Sequence, residues 1–202
     1  MPKIVDPTAR RAEVVDATFA VIAESGFAAA TLQQVADRAG INIGSVRHYF
    51  SGHGELLEFA MASMIERVSG RLQSHVDAVV TADQAQRAEL TVKLLEELLP
   101  LDDRRRLEVA VWLEFSIAAR TRPQLAELAT KSAAGTRRLI GHVLSSMQQR
   151  GALRGDADIT VETERLCSLI DGLSMGALLH PRTVPRTRVR AVLSAHLRQL
   201  RP

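Results

Sequence analysis

The chain is expected to be all-α: nine helices, with a three-helix helix-turn-helix head ahead of a larger helical body. Three observations carry this expectation. Ala, Leu and Val dominate the apolar residues and only 3% are aromatic, which favours helix over strand. Apolar positions recur at three- and four-residue spacing, and no alternating strand pattern interrupts them. Gly26, Gly40, Pro100, Gly151, Pro181 and Pro185 cut that periodicity into helix-length segments.

With 202 residues the chain is long enough for one or two domains and a sizeable core. Hydrophobic residues make up 46% and charged residues 24%, ordinary globular values. No run of 18 apolar residues exists, so no membrane span is expected. The start, MPKIVDPTARR, lacks an apolar signal core. One cysteine, Cys167, excludes an intrachain disulfide framework and suits a reducing compartment. A cytoplasmic location is the expectation. The histidines at 48, 53, 75, 142, 180 and 196 include no pair at metal-ligand spacing, so no metal and no cofactor is expected.

Residues 1–8 read as an arm. The first helix is expected over Thr8–Ser25, burying Val14, Ala17 and Val21/Ile22. Gly26 ends it, and Phe27 should pack beneath the next two helices. Thr31 caps a second helix, with Gln34 placed to complete a capping box. Leu32, Val35 and Ala36 form its apolar stripe, and Gly40 supplies the left-handed stop. Asn42 caps a third helix over 43–49. Two short helices joined by a Gly-containing turn of about four residues make a helix-turn-helix. In that motif the second helix enters the DNA major groove with its N-terminal end leading. Here that end carries Ile43, Gly44 and Ser45, followed by Arg47, His48 and Tyr49, which can reach a phosphate or a base edge.

Residues 10–57 resemble the DNA-binding domain of the TetR family of bacterial repressors. The likeness runs from Arg10/Arg11 through Val14, Val15, Ala17 and Gly26-Phe27. It continues through Thr31, Val35-Ala36, Ala39-Gly40, Gly44-Ser45-Val46 and Tyr49-Phe50 to Leu56-Leu57. It departs from the family at Arg47, where Tyr is usual, and at His53, where Lys is usual. The resemblance implies DNA contacts from Thr31, Gln33, Asn42, Ser45, Arg47, His48 and Tyr49, with His53 at a flanking phosphate. A titrating His53 would make DNA affinity rise as pH falls through the histidine range.

Charge gives the head no basic footprint. Residues 1–50 hold Lys3, Arg10, Arg11, Arg38 and Arg47 against Asp6, Glu13, Asp16, Glu24 and Asp37. Binding must then rest on where each charge sits. The basic excess lies at the other end: no acid follows Asp171, but Arg182, Arg186, Arg188, Arg190, Arg198 and Arg201 do. A solvated basic helix is expected there, rather than a second nucleic-acid surface.

The body is expected to begin at 53, giving domains 1–52 and 53–202. A long fourth helix runs from Gly52–Gly54 to about Val80. The fifth covers Ala82–Leu99, the sixth Asp102 to about Arg120, and the seventh Pro123 to Gly151. The eighth runs from after Asp158 to Leu179, and the ninth from after Pro185 to Leu200. From Arg105 onward the body resembles the C-terminal domain of the betaine-pathway, choline-responsive branch of the same family. That likeness rests on Trp112-Leu113-Glu114-Phe115, Pro123-Gln124-Leu125 and Asp171-Gly172-Leu173. It implies a cavity for a small molecule and does not by itself make choline the ligand.

Expected effector-lining residues are Met61, Met64, Trp112, Phe115, His142, Met147, Asp171 and Met175, with Glu114 a further polar candidate. Trp112 with a carboxylate could hold a cation. Helices eight and nine carry more apolar residues than one buried stripe needs. Leu166, Leu169, Gly172, Leu173, Gly176, Val189, Leu193 and Leu197 are therefore expected in a homodimer interface. Gly172-Leu173-Ser174-Met175-Gly176 matches the G-x-S-x-G pattern, but no strand precedes it, so a nucleophile elbow is not expected.

The expected function is a homodimeric repressor that binds double-stranded DNA at a palindromic operator and is released by an unidentified small molecule. The alternatives are an activator or effector-free global regulator, a helical module that has lost DNA binding, and a hydrolase using Ser174.

Overall fold

The structure is a computed structural model describing residues 7–202. Most of the expected N-terminal arm lies outside those residues, and Pro7 already starts a helix. Nine α-helices and no strand occur among the described residues. They are α1 (Pro7–Ser25), α2 (Leu32–Ala39), α3 (Ile43–Tyr49), α4 (His53–Thr81), α5 (Gln84–Glu96), α6 (Asp103–Ala119), α7 (Pro123–Gln149), α8 (Ile159–Leu179) and α9 (Arg186–Gln199). A single 3-10 turn, Phe27–Ala29, lies between α1 and α2. Periodicity did not anticipate it, because three residues are too few to show a repeat.

The sequence signals place the helix ends. The Thr31 hydroxyl accepts the Gln34 N–H at 3.2 Å, and Gly40 stops α2 in the left-handed conformation at φ 65°. The reciprocal half of the capping box is not made; the Thr31 N–H donates to the Ala29 carbonyl instead. Asp83, Asp102 and Asp158 each accept a backbone N–H at the start of α5, α6 and α8.

The chain divides into two compact units. The first holds the chain through Arg67 together with Ala110–Ala129; the second holds Val68–Val109 and Thr130–Pro202. These units describe compactness, and they cut the chain at other places than the functional division expected at 52/53.

In the first unit Val14, Ile22, Val35, Ala36, Val46, Leu56 and Phe115 are at most 1% exposed. In the second, Leu95, Leu99, Ile140, Leu144, Leu166, Val189 and Leu193 are fully buried in one cluster. Each helix thereby buries its periodic face, which is the main source of its stability.

Polar contacts add direction to the second unit. Arg106 donates to the carbonyls of Ala177 and Leu178, closing the C-terminal end of α8. Arg71 on α4 bonds Glu97 and Glu108 at 3.0 and 2.5 Å. Arg190 and Arg186 on α9 pair with Glu96 and Asp103. Part of the C-terminal basic excess is thus bound within the unit.

Candidate nucleic-acid interface

Helix α3, the expected reading helix, is held from both ends. The Asn42 side chain accepts the Gly44 N–H at 2.7 Å and the Phe50 N–H returns to the Val46 carbonyl. A Cβ on residue 44 would lie 3.1 Å from the Asn42 Oδ1, so Gly44 is what lets this cap close tightly. Val46 is the one fully buried side chain of α3 and keys it to the head. Ser45, Arg47 and His48 are exposed; Tyr49 is half-buried. The Tyr49 ring is braced by His48 at 5.2 Å and by the Arg11 guanidinium 5.5 Å from its centroid.

The neutral head resolves into local pairs. Arg38 makes two 2.7 Å bonds to Glu24, Arg10 bonds Glu13, and Asp16 takes Arg67. Gln33, exposed on α2, donates to Asp37 at 2.7 Å. Arg47 has no acidic partner among the described residues, so its charge faces solvent undiminished. That arrangement suits a phosphate or a guanine edge. Thr31 is exposed at the α2 start, although its hydroxyl already serves the cap.

His53 is placed differently from expectation. Its Nε2 is buried and has no hydrogen-bond partner. Burial and the neighbouring Arg122 guanidinium hold its pKa below the ordinary imidazole value. A phosphate contact through Nε2 requires the ring to turn outward, and burial opposes protonation of the ring.

The turn after α1 is tied from α6. Gly26 sits at φ 83°, ψ 168°, and the Phe27 N–H donates to Glu114 Oε2 at 3.3 Å. Arg122 lies 5.0 Å from the Phe27 ring centroid. Glu114, a polar candidate for the effector, is therefore committed to this corner of the head. A Glu eighty-seven residues away in sequence offers no local signal of such a bond.

The expected effector residues fall in both units. Met61, Met64, Trp112 and Phe115 belong to the first unit, and His142, Met147, Asp171 and Met175 to the second. Met61, Met64 and Phe115 are core residues, at most 3% exposed, while Trp112 is half-buried 5.6 Å from the Phe115 ring. His142, Asp171 and Met175 are exposed, and Met147 is half-buried. The Asp171 residue is exposed, but neighbours withhold water from its carboxyl and raise its pKa, Arg137 opposing them. Two cavities, of about 290 and 300 Å³, are lined by other residues of the first unit.

The expected dimer contacts need correction. Leu166, Val189, Leu193 and Leu197 are at most 5% exposed within the single chain. They pack α8 and α9 onto their own unit, so they are not available to a second copy. Gly176 packs against Val184 of the α8–α9 loop, whereas a Cβ at Gly172 would meet nothing. Leu169 and Leu173 are half-buried. The apolar residues left outside are Val161, Met175, Leu179 and Val192, 36 to 59% exposed. Ser174 lies inside α8, so the G-x-S-x-G run has no elbow geometry.

Comparison with known proteins bears on both parts. The family model described as bacterial regulatory proteins, tetR family, matches residues 14–60. The model described as BetI-type transcriptional repressor, C-terminal, matches residues 88–202. The HTH-type transcriptional regulator PksA of Bacillus subtilis is 32% identical over 99% of this chain and 94% of its own. The HTH-type transcriptional regulator BetI of Escherichia coli K12 is 28% identical, covering 100% and 99%. A crystal structure of a transcriptional regulator from Rhodococcus sp. Rha1 superposes with TM-score 0.78 at 28% identity, covering 94% and 95%. One of a putative regulator from Saccharomonospora viridis in complex with choline superposes with TM-score 0.83 at 22% identity, covering 95% and 96%. The last shows likeness of fold alone.

Proposed function

The chain belongs to the TetR family of bacterial transcriptional regulators, with a BetI-type C-terminal domain, and on that premise we propose a repressor that binds a palindromic operator as a homodimer and is released by a small-molecule effector. The family is one of regulators, not of enzymes. The observation that carries the DNA-binding part is the free face of α3. Ser45, Arg47 and His48 stand exposed on a helix whose two ends and one buried key, Val46, fix its direction. Asn42 and Tyr49 flank them; Thr31 and Gln33 at the α2 start serve phosphates.

A dimer supplies the second reading helix, about 34–36 Å away on the next major groove. The proposed interface is the outward face of α8, Val161, Gly172, Met175 and Leu179, with Val192 of α9 and the flanks Leu169 and Leu173. The bare backbone at Gly172 permits close approach there.

Trp112 beside Phe115 is the proposed effector contact, an aromatic pair on the helix that also carries Glu114. Movement of α6 would strain the Glu114–Phe27 tie and so the setting of the head. DNA and effector then oppose each other through one coupling energy, felt equally by both. No effector is named: choline belongs to the Saccharomonospora protein's structure.

The test is selection of sites from a random duplex library, with the protein's mass in solution measured alongside. A palindromic consensus bound by a dimer is expected. No enrichment from a folded dimer at low salt would sink the proposal.

A further inference from the structure

The cleft between the start of α4 and the α6–α7 corner contains an arginine with no counter-ion among the described residues. Its lining is His53, Gly54, Leu57, Arg122, Gln124 and Leu125, and its volume is about 290 Å³. Leu57 and Leu125 are each 2% exposed and give it an apolar floor. The Arg122 guanidinium is held over the Phe27 ring, and none of its N–H donors has a partner among the described residues. His53 lines the same cleft, and its Nε2 is buried without a partner, so a turn of the ring would bring it to a bound oxyanion. Gln124, exposed at the rim, adds an amide donor. Buried polar atoms in native proteins are nearly always satisfied, so an orphan beside an uncompensated guanidinium calls for an acceptor from outside.

We infer that this cleft binds a small organic carboxylate, its oxyanion between Arg122, His53 and Gln124 and its short apolar end on Leu57 and Leu125. An arginine fork donates to both oxygens of one carboxylate, and placement over an aromatic ring leaves its in-plane donors open. The volume sits at the small end of the range for ligand pockets, which limits the tail to a few carbons. None of the residues expected to meet the effector lines this cleft. Such a site is additional to the regulator reading and stands whether or not the chain binds DNA. The same oxyanion chemistry could come from a DNA backbone phosphate, and the experiment separates the two sources.

Calorimetric titration of the full-length protein, without DNA, uses sodium butyrate, acetate and chloride at one ionic strength. Saturable binding is expected for butyrate, weaker binding for acetate and none for chloride. Arg122→Gln should weaken butyrate binding about tenfold or more. Because Arg122 also braces Phe27, Gln124→Ala, at an exposed rim position, supplies a second variant, expected to weaken binding several-fold with the fold intact. Absence of saturable butyrate binding, or binding unchanged in both folded variants, overturns the assignment. A short duplex added to the butyrate complex distinguishes the sources. If it displaces butyrate, and Arg122→Gln weakens duplex and butyrate alike, the cleft seats a backbone phosphate and the small-molecule assignment falls.

Discussion

Gly26 shows how one residue fixes the corner between α1 and the reading pair. Its φ of 83° with ψ 168° lies in a region open almost only to glycine, and Glu114 Oε2 stands 3.6 Å from where a Cβ would be. Gly26→Ala is expected to cost about 1–3 kcal/mol, read from urea denaturation. Gly40, left-handed with open space around it, should cost less on the same change. His196 makes a second single-residue case. Burial lowers its pKa from 6.5, with Glu162 opposing and Arg165 assisting, and its Nε2 has no partner. The unfolded chain therefore takes up the proton first. Stability from this group is complete above 6.5 and lost as pH falls below it, toward the lower folded value. The urea midpoint should fall between about pH 7 and pH 5, and His196→Gln should flatten that fall. A midpoint slope unchanged by the substitution would remove His196 as its cause. His53 carries the same sign, so some slope remains in the variant.

At the scale of elements, α8 and α9 separate core from surface along one helix. Leu193 is fully buried in the second unit's cluster, and Leu193→Ala should destabilise the protein by about 2–5 kcal/mol. Met175 and Leu179 are 50 and 59% exposed. Charged substitution there, Met175→Glu with Leu179→Glu, should leave helicity and thermal midpoint of the monomer near wild type while abolishing the dimer in sedimentation. A folded, still dimeric double variant would move the interface elsewhere. The α8 and α9 pattern explains why sequence did not separate core from outward face. Leu166, Leu169, Leu173 and Leu197 are all apolar and all periodic, and periodicity alone does not say which stripe a chain buries against itself. Helix limits were far more legible. Thr31, Asn42, Asp102 and Asp158 stand at helix starts where expected, because caps act through residues one to three positions away, whereas Asp83, which caps α5, was not anticipated.

For the whole molecule, the proposed DNA binding rests on where each charge sits. Arg10 and Arg38 are paired with acids within the protein, leaving Arg47 the exposed cation of α3. Arg47→Ala should weaken operator affinity by about 1–3 kcal/mol if the side chain reads a base. If it meets a phosphate, the loss should be the same for operator and random duplex, with the salt slope reduced by about one. Fluorescence anisotropy across a salt series gives both. No loss on either duplex would remove Arg47 from the interface.

The sequence alone determined the all-α class, the succession and ends of the helices and the helix-turn-helix. Caps, glycine stops and apolar periods are local signals, and each operates within a turn or two of chain. Only the tertiary structure decided what depends on contacts between distant residues: Glu114 on the Phe27 N–H, Arg122 beside His53, α9 arginines on α5 and α6, and Leu166, Val189, Leu193 and Leu197 inside rather than at an interface. Burial is a property of the packed chain, so a side chain's type says that it will be covered and packing decides by what.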